Sequence, residues 1–245
     1  MAQPVNFGPL AHQPAYRLVS EKIRHAIISG EIEAGELLPT ETDLAEQFGV
    51  TRSTVREAIR LLEHVGILGR ADRKRLVVTR PGTEAVGRSV SSAMLMHQVT
   101  FEELWQVAMG LEPLAGKLAC LSATDAEKQL LADNLARDRE VMADHDALLE
   151  PVIDFHNLVA QASEDSALLL ARAPLNELFY PAWGAVIRAL SPGERILVAH
   201  QHVYDAICAG DQEKAEEWME KHMRDFRRGI ELGNLGFDKP VRGQV

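Results

Sequence analysis

The chain has 245 residues, 46% hydrophobic and 25% charged, which is enough for one large or two ordinary domains and is the balance of a soluble globular protein. No run approaches the about 18 apolar residues of a membrane helix, and the opening segment lacks the basic start and apolar core of a signal peptide. A formal net charge of −10 argues against a nucleic-acid partner only until it is divided along the chain: residues 51–80 hold 8 Lys+Arg against 3 Asp+Glu, a basic stripe on an acidic protein. Cys120 and Cys208 have neither metal nor redox spacing and read as buried free thiols in a reducing cytoplasm.

From Tyr16 to Ile28 apolar residues recur at helical spacing, and Gly30 ends that helix. Glu33 to Glu36 reads as a turn before Leu37 and Leu38. Thr40 with Asp43 three residues on is a capping-box start for a helix to about Phe48. Gly49 punctuates, and Thr51 caps a third helix to about His64 with an inward stripe of Val55, Ile59 and Leu62. Helix, glycine-containing turn and helix make a helix-turn-helix. Ile67-Leu68 and Leu76 to Thr79 then predict two short strands around a basic tip, Arg70 to Arg75. Arg80-Pro81-Gly82 breaks the pattern.

Beyond this break the chain reads as helix: 84–96, 101–121, 125–145, 149–162, 166–189 (kinked or split near Ala173-Pro174), 192–209 and 212–231. Thr124 with Glu127 and Ser191 with Glu194 are capping-box starts, and Asp211 caps the last helix. The expected architecture is mainly α. A winged helix-turn-helix over 1–80 leads through a linking helix over 81–97 to an all-helical domain over 98–236 and a tail over 237–245.

A DNA-reading helix presents polar side chains from its first turns while its other face packs inward. Residues Thr51 to Ile59 separate in this way. Arg52 and Arg56 share a face and suit guanine edges or phosphate, while Thr51, Ser53 and Thr54 suit phosphate oxygens. The plain alternative is a capped surface helix with two exposed arginines. In the C-terminal half, His156, His200 and His222 fall on three predicted helices beside apolar residues. Each alone reads as a satisfied core histidine, and three that converge would ligate a divalent metal.

Residues 16–79 closely resemble the winged helix-turn-helix of the GntR family. The resemblance rests on Ile28 to Ile32, Gly35 to Pro39, Asp43 to Arg52, Val55 to Ile59, Leu62-Glu63 and Gly66-Ile67. It implies DNA contacts at Thr51, Arg52, Ser53, Thr54 and Arg56, and at Thr42, where the family often has arginine. It also implies a wing contact, here from Arg73 or Lys74 in place of the family's glycine-bearing tip. The C-terminal half resembles the FCD effector domain of FadR-like members through Leu111 to Ala115, Phe155-His156, His200, Asp205 to Ile207, Gly210-Asp211, Ala215 and His222. That resemblance implies a metal, Zn²⁺ or Ni²⁺, held by His156, His200 and His222, with Val152 where the family has an aspartate ligand.

It also places Met109, three residues before Glu112, where the family has an arginine facing a ligand carboxylate. Met109, Glu112, Arg172, Arg188 and Tyr204 are the candidate effector-pocket residues. Arg172 and Arg188 are alternative anion clamps, and a solvated surface position is the plain reading of each. Trp105, Tyr180, Trp183 and Tyr204 line a pocket or pack in the core. The implied function is a cytoplasmic, homodimeric, ligand-responsive repressor of an inverted-repeat DNA operator. It is not an enzyme, has no membrane partner, and answers to a small metabolite such as an organic acid. The alternatives are a DNA-binding architectural protein without effector and a metal-dependent enzyme.

Overall fold

The computed structural model describes residues 13–72, 75–180, 183–233 and 236–241. The chain divides into two compact units at Ala85 and Val86.

In the first unit, α1 (Ala15–Ile28), α2 (Glu41–Phe48) and α3 (Arg52–His64) precede an antiparallel hairpin, β1 (Leu68–Arg70) and β2 (Leu76–Val78), with Leu68 opposite Val78. The Thr40–Asp43 capping box forms as the sequence requires, and Gly49 closes α2 in the left-handed conformation, at φ 64°, that favours glycine. Thr51 caps α3 through the Thr54 amide. Val55, Ala58, Ile59 and Leu62 bury the inner face of α3 against Val19, Ile23 and Leu44 and against Leu68, Leu76 and Val78 of the hairpin. The segment read as a turn before Leu37 extends the sheet: Leu37 bridges Val77, and Leu38 donates its amide to the Leu76 carbonyl at 3.0 Å. Arg73 and Lys74 lie outside the described residues.

The second unit contains most of α4 (Thr83–Met96), then α5 (Phe101–Ser122), α6 (Asp125–Val141), α7 (Leu149–Ala162), α8 (Ser166–Leu178), α9 (Trp183–Leu190), α10 (Gly193–Ala209) and α11 (Gln212–Leu232). The 22-residue α5 packs against α7, α8, α10 and α11. Among the described residues, no helix is long and apolar enough to cross a membrane.

Several elements depart from expectation. Helix α6 stops at Val141 rather than 145 because the Asp144 carboxylate accepts the Asp146 and Ala147 amides, a local turn that competes with the helix. The helix expected over 166–189 is split, but not at Pro174, which sits buried inside α8. The break follows Leu178, and Leu178, Phe179 and Tyr180 beyond Pro174 are all buried. Ser191 does not cap α10. Pro192 holds the cap position, and a side chain on Gly193 would collide with the Met142 carbonyl, so this chain entry is set by close packing. Cys208 is exposed, not buried, and Cys120 is half-buried. The tail is partly structured: Thr100 bridges Pro240, and Val241 is buried against the core.

Two apolar clusters stack along the second unit. One holds Leu104, Val152, Trp183, Met223 and Phe226, and the other holds Ala115, Leu131, Phe155, Val203 and Met219. Helices α5, α7, α10 and α11 pass from one to the other. Each carries a buried polar side chain at the crossing: Glu112, His156, His200 and His222. Arg172 on α8 and Asp138 on α6 are buried at the same level.

Candidate metal centre and nucleic-acid interface

The three histidines converge. One ligand nitrogen from each of His156, His200 and His222 lies within 4.8 Å of the others, and all three side chains are buried. His156 and His200 each turn Nδ1 to a carboxylate, Glu112 Oε2 and Asp138 Oδ2, both at 2.9 Å. A carboxylate only accepts, so each Nδ1 carries a proton and each Nε2 is turned inward. His156 Nε2 lies 3.2 Å from His222 Nε2, and His200 Nε2 is buried without a hydrogen-bond partner. Burial lowers the pKa of His200, opposed by Asp138. Burial, reinforced by His200 and His156, lowers His222 well below the ordinary value. Three buried imidazoles with converging nitrogens, two of them backed by carboxylates on the outer nitrogen, are the donor set a divalent cation requires, so these residues fit a metal.

The support behind His156 is a closed network. Glu112 Oε1 accepts from Arg172 Nε at 3.1 Å and from the Tyr180 hydroxyl, while Arg172 also donates to Asn157 and Tyr180. Burial alone would raise the Glu112 carboxyl, but Arg172, His156 and Tyr180 hold it at about 2. Arg172 is therefore an internal counter-ion, which corrects its plain reading as a solvated surface residue. Arg188 is exposed and pairs at the surface with Asp146. Met109 packs against the first apolar cluster and Tyr204 against the second, so of the five candidate effector residues only Glu112 and Arg172 meet. Val152 is fully buried, and Asp154 is turned outward to Arg137.

A cavity of about 410 Å³ opens between α9, α10 and α11, with Trp183, Ile187, Ile196 and Phe226 as walls and His222 at its lining. The Trp183 indole N–H is buried without a partner. Asp138, Trp183 and Arg172 belong to no motif. What marks them is an apolar neighbour three or four positions away on either side, as in Leu168, Arg172 and Leu175.

In the first unit, Thr42, Thr51, Arg52, Ser53 and Arg56 are exposed and Thr54 half-buried. The Thr51 hydroxyl lies 2.8 Å from that of Ser53 and 2.9 Å from that of Thr54. Arg52 makes no ion pair among the described residues, whereas Arg56 Nε reaches Glu41 Oε2 at 3.3 Å. Glu41 also lies 3.8 Å from Arg70, which pairs with Glu63 at 2.8 Å. Part of the basic charge counted over 51–80 is thus held by neighbouring carboxylates.

The family described as bacterial regulatory proteins, gntR family, matches residues 15–78, and the FCD domain matches residues 103–225. The chain belongs to the GntR family. It is a DNA-binding transcription regulator whose helical half is an FCD domain. Curated relatives include the HTH-type transcriptional repressor NanR of Cronobacter sakazakii, 26% identical over 220 residues, covering 88% of this chain and 85% of that protein. NanR of Escherichia coli K12 is 25% identical, covering 88% and 84%. The solved Streptococcus agalactiae GntR shares the fold, with a TM-score of 0.62 at 23% identity over 87% of this chain and 99% of that one.

Two consequences follow for this GntR protein. A histidine whose folded-state pKa is depressed adds stability above its unfolded value, near 6.5, and that stability is lost as pH falls below it. Metal-free protein should therefore melt at progressively lower temperature from pH 7.5 to 5.5, by at most about 1.4 kcal/mol per pH unit for each histidine. His222→Gln should flatten this limb, and a flat wild-type profile would contradict the buried neutral assignment. Replacing Arg172 by methionine leaves Glu112 buried and unpaired. It should cost about 3–5 kcal/mol in denaturant unfolding, with much of the loss recovered in the Arg172→Met, Glu112→Gln double variant.

Proposed function

We propose that this GntR regulator is a cytoplasmic, homodimeric repressor that binds an inverted-repeat operator and is modulated by a small organic acid sensed in its FCD domain. The observation that carries the reading is one chain that joins an exposed Arg52–Arg56 helix face to a buried three-histidine centre. In this reading residues 1–80 bind DNA, 81–97 link, 98–236 sense and dimerise, and 237–245 form the tail. Thr42, Thr51, Arg52, Ser53, Thr54 and Arg56 contact the operator, joined by Arg73 and Lys74 from the wing. The repressor sense follows the names of the NanR relatives.

Val107, Leu114 and Leu121 form an exposed apolar stripe along α5 at seven-residue spacing, and a side chain on Gly110 would meet nothing. A second copy of the chain suits such a face, because a two-fold dimer presents two recognition helices to two half-sites.

A Zn²⁺ or Ni²⁺ ion held by His156, His200 and His222 would offer a coordination site for an effector oxygen. The protein's own part is to bury the imidazoles and to orient His156 and His200 through Glu112 and Asp138. Catalysis is not part of the reading, because both Glu112 oxygens are engaged, by Arg172 and Tyr180 and by His156, and Glu112 is not free to act as a base.

Selection from random duplex DNA should yield an inverted repeat. On it, Arg52→Ala and Arg56→Ala should each cost about 1–3 kcal/mol in binding. Retention of wild-type operator affinity by both variants would overturn the recognition-helix assignment.

A further inference from the structure

We propose that the segment Gly236–Val241, beyond the end of α11, is a releasable strap that ties α11 to the junction of α4 and α5, and that its opening weakens operator binding. The proposal rests on the reading of the chain as an operator-binding regulator. The strap lies outside residues 103–225, the span matched by the FCD domain.

On the junction side the strap completes the start of α5. A helix leaves its first amides without partners of its own. Here Phe101 N donates to the Lys239 carbonyl at 3.3 Å and Glu102 N to the Phe237 carbonyl at 3.0 Å, while Glu103 N donates to the Thr100 hydroxyl. Val241 N donates to the Val99 carbonyl at 2.8 Å, and the Val241 side chain is buried in the cluster that holds Leu104 and Ile230. The junction contains Gln98 in the left-handed region, at φ 56°, a conformation that a residue with a side chain keeps only where its surroundings hold it.

On the α11 side the Arg227 guanidinium lies over two rings, 4.8 Å from the centroid of Trp105 on α5 and 5.0 Å from that of Phe237 in the strap. Trp105 Nε1 donates to the Met223 carbonyl at 3.0 Å, one residue past His222. The part of α11 that follows His222 is thus held both to the start of α5 and to the strap.

Among the described residues the strap makes three backbone hydrogen bonds to the junction and fully buries one side chain, while Asp238, Lys239 and Pro240 are exposed. A segment with so few buried contacts opens locally while the helical unit stays folded. Opening takes the acceptors from the Phe101 and Glu102 amides and frees the backbone at Gln98. Helix α4 begins in the first unit, at Thr83, and ends before this junction, at Met96. A freed junction therefore loosens the helix that leads to the DNA-binding residues and adds an ordering cost to operator binding.

The test compares the wild type with a chain truncated before Gly236 and with full-length Val241→Asp and Arg227→Ala, by hydrogen–deuterium exchange and by binding to the selected operator. Truncation and Val241→Asp should each speed exchange of the Phe101 and Glu102 amides about tenfold or more and leave α7 as protected as in the wild type. Both should weaken operator binding about threefold or more. Arg227→Ala should speed exchange across 236–241. Unchanged protection of Phe101 and Glu102 in both strap variants would overturn the strap. Protection lost in α7 as well, in both, would make the segment part of the core and overturn its release. Unchanged exchange of 236–241 in Arg227→Ala would overturn the tie to α11. An operator bound equally by the wild type and the strap variants would overturn the proposal alone, whereas no operator binding by the wild type would overturn the regulator reading and the proposal with it.

Discussion

A polar layer across the middle of the helical unit is the constraint on which the rest of that unit depends. Six helices each bury a charged or imidazole side chain at one level, between two apolar clusters. Such burial is unfavourable unless every group finds a partner. The layer meets this demand outward from the histidines: Glu112 and Asp138 take the outer nitrogens of His156 and His200, Arg172 neutralises Glu112, and Asn157 and Tyr180 each accept a further hydrogen bond from Arg172. Among the described residues, His200 Nε2 and Asp138 Oδ1 are left without a partner and the Nε2 atoms of His156 and His222 face each other. A cation bound there would complete the inner nitrogens, and its binding free energy would add to the stability of the fold.

The layer also gives a route from ligand to shape. The cavity lined by His222 lies among α9, α10 and α11, and α11 and α10 pack directly on α5, the helix that carries the exposed Val107–Leu114–Leu121 stripe. In the proposed dimer, a ligand that changed how α11 sits would act on the helix that carries this stripe. In the DNA-binding unit the comparable device is Glu41, which holds Arg56 and approaches Arg70. It restrains Arg56 and leaves Arg52 without an internal counter-charge among the described residues.

Elements set by local chemistry were legible in the sequence. Thr40–Asp43, Thr51, Thr124–Glu127 and Asp211 cap helices because each satisfies its helix's first amides within three residues. The three histidines were legible as candidates because residue type and helical placement suffice for that. What the sequence did not disclose depends on contacts between distant segments. Gly193 against the Met142 carbonyl sets the start of α10, the Leu37–Val77 bridge enlarges the sheet, and Arg172 is drawn inward by Glu112, 60 positions away. The cavity lined by α9, α10 and α11 was not legible for the same reason, since the separation of α9 from α8 shows in the packing and not at Pro174.

Val152 gives this centre its particular character. With a buried valine at this position, the three imidazoles would be the protein's ligands to a metal; burial lowers the pKa of His200 and His222, and Glu112 and Asp138 orient His156 and His200. The most direct measurement is zinc-edge X-ray absorption, with elemental analysis, on tag-free protein reconstituted with Zn²⁺. The account predicts one zinc per chain in a shell of three imidazole nitrogens and a light oxygen-type ligand, with zinc lost in His222→Ala. Zinc that stays well below one per chain after reconstitution, or a shell without imidazole, would contradict it.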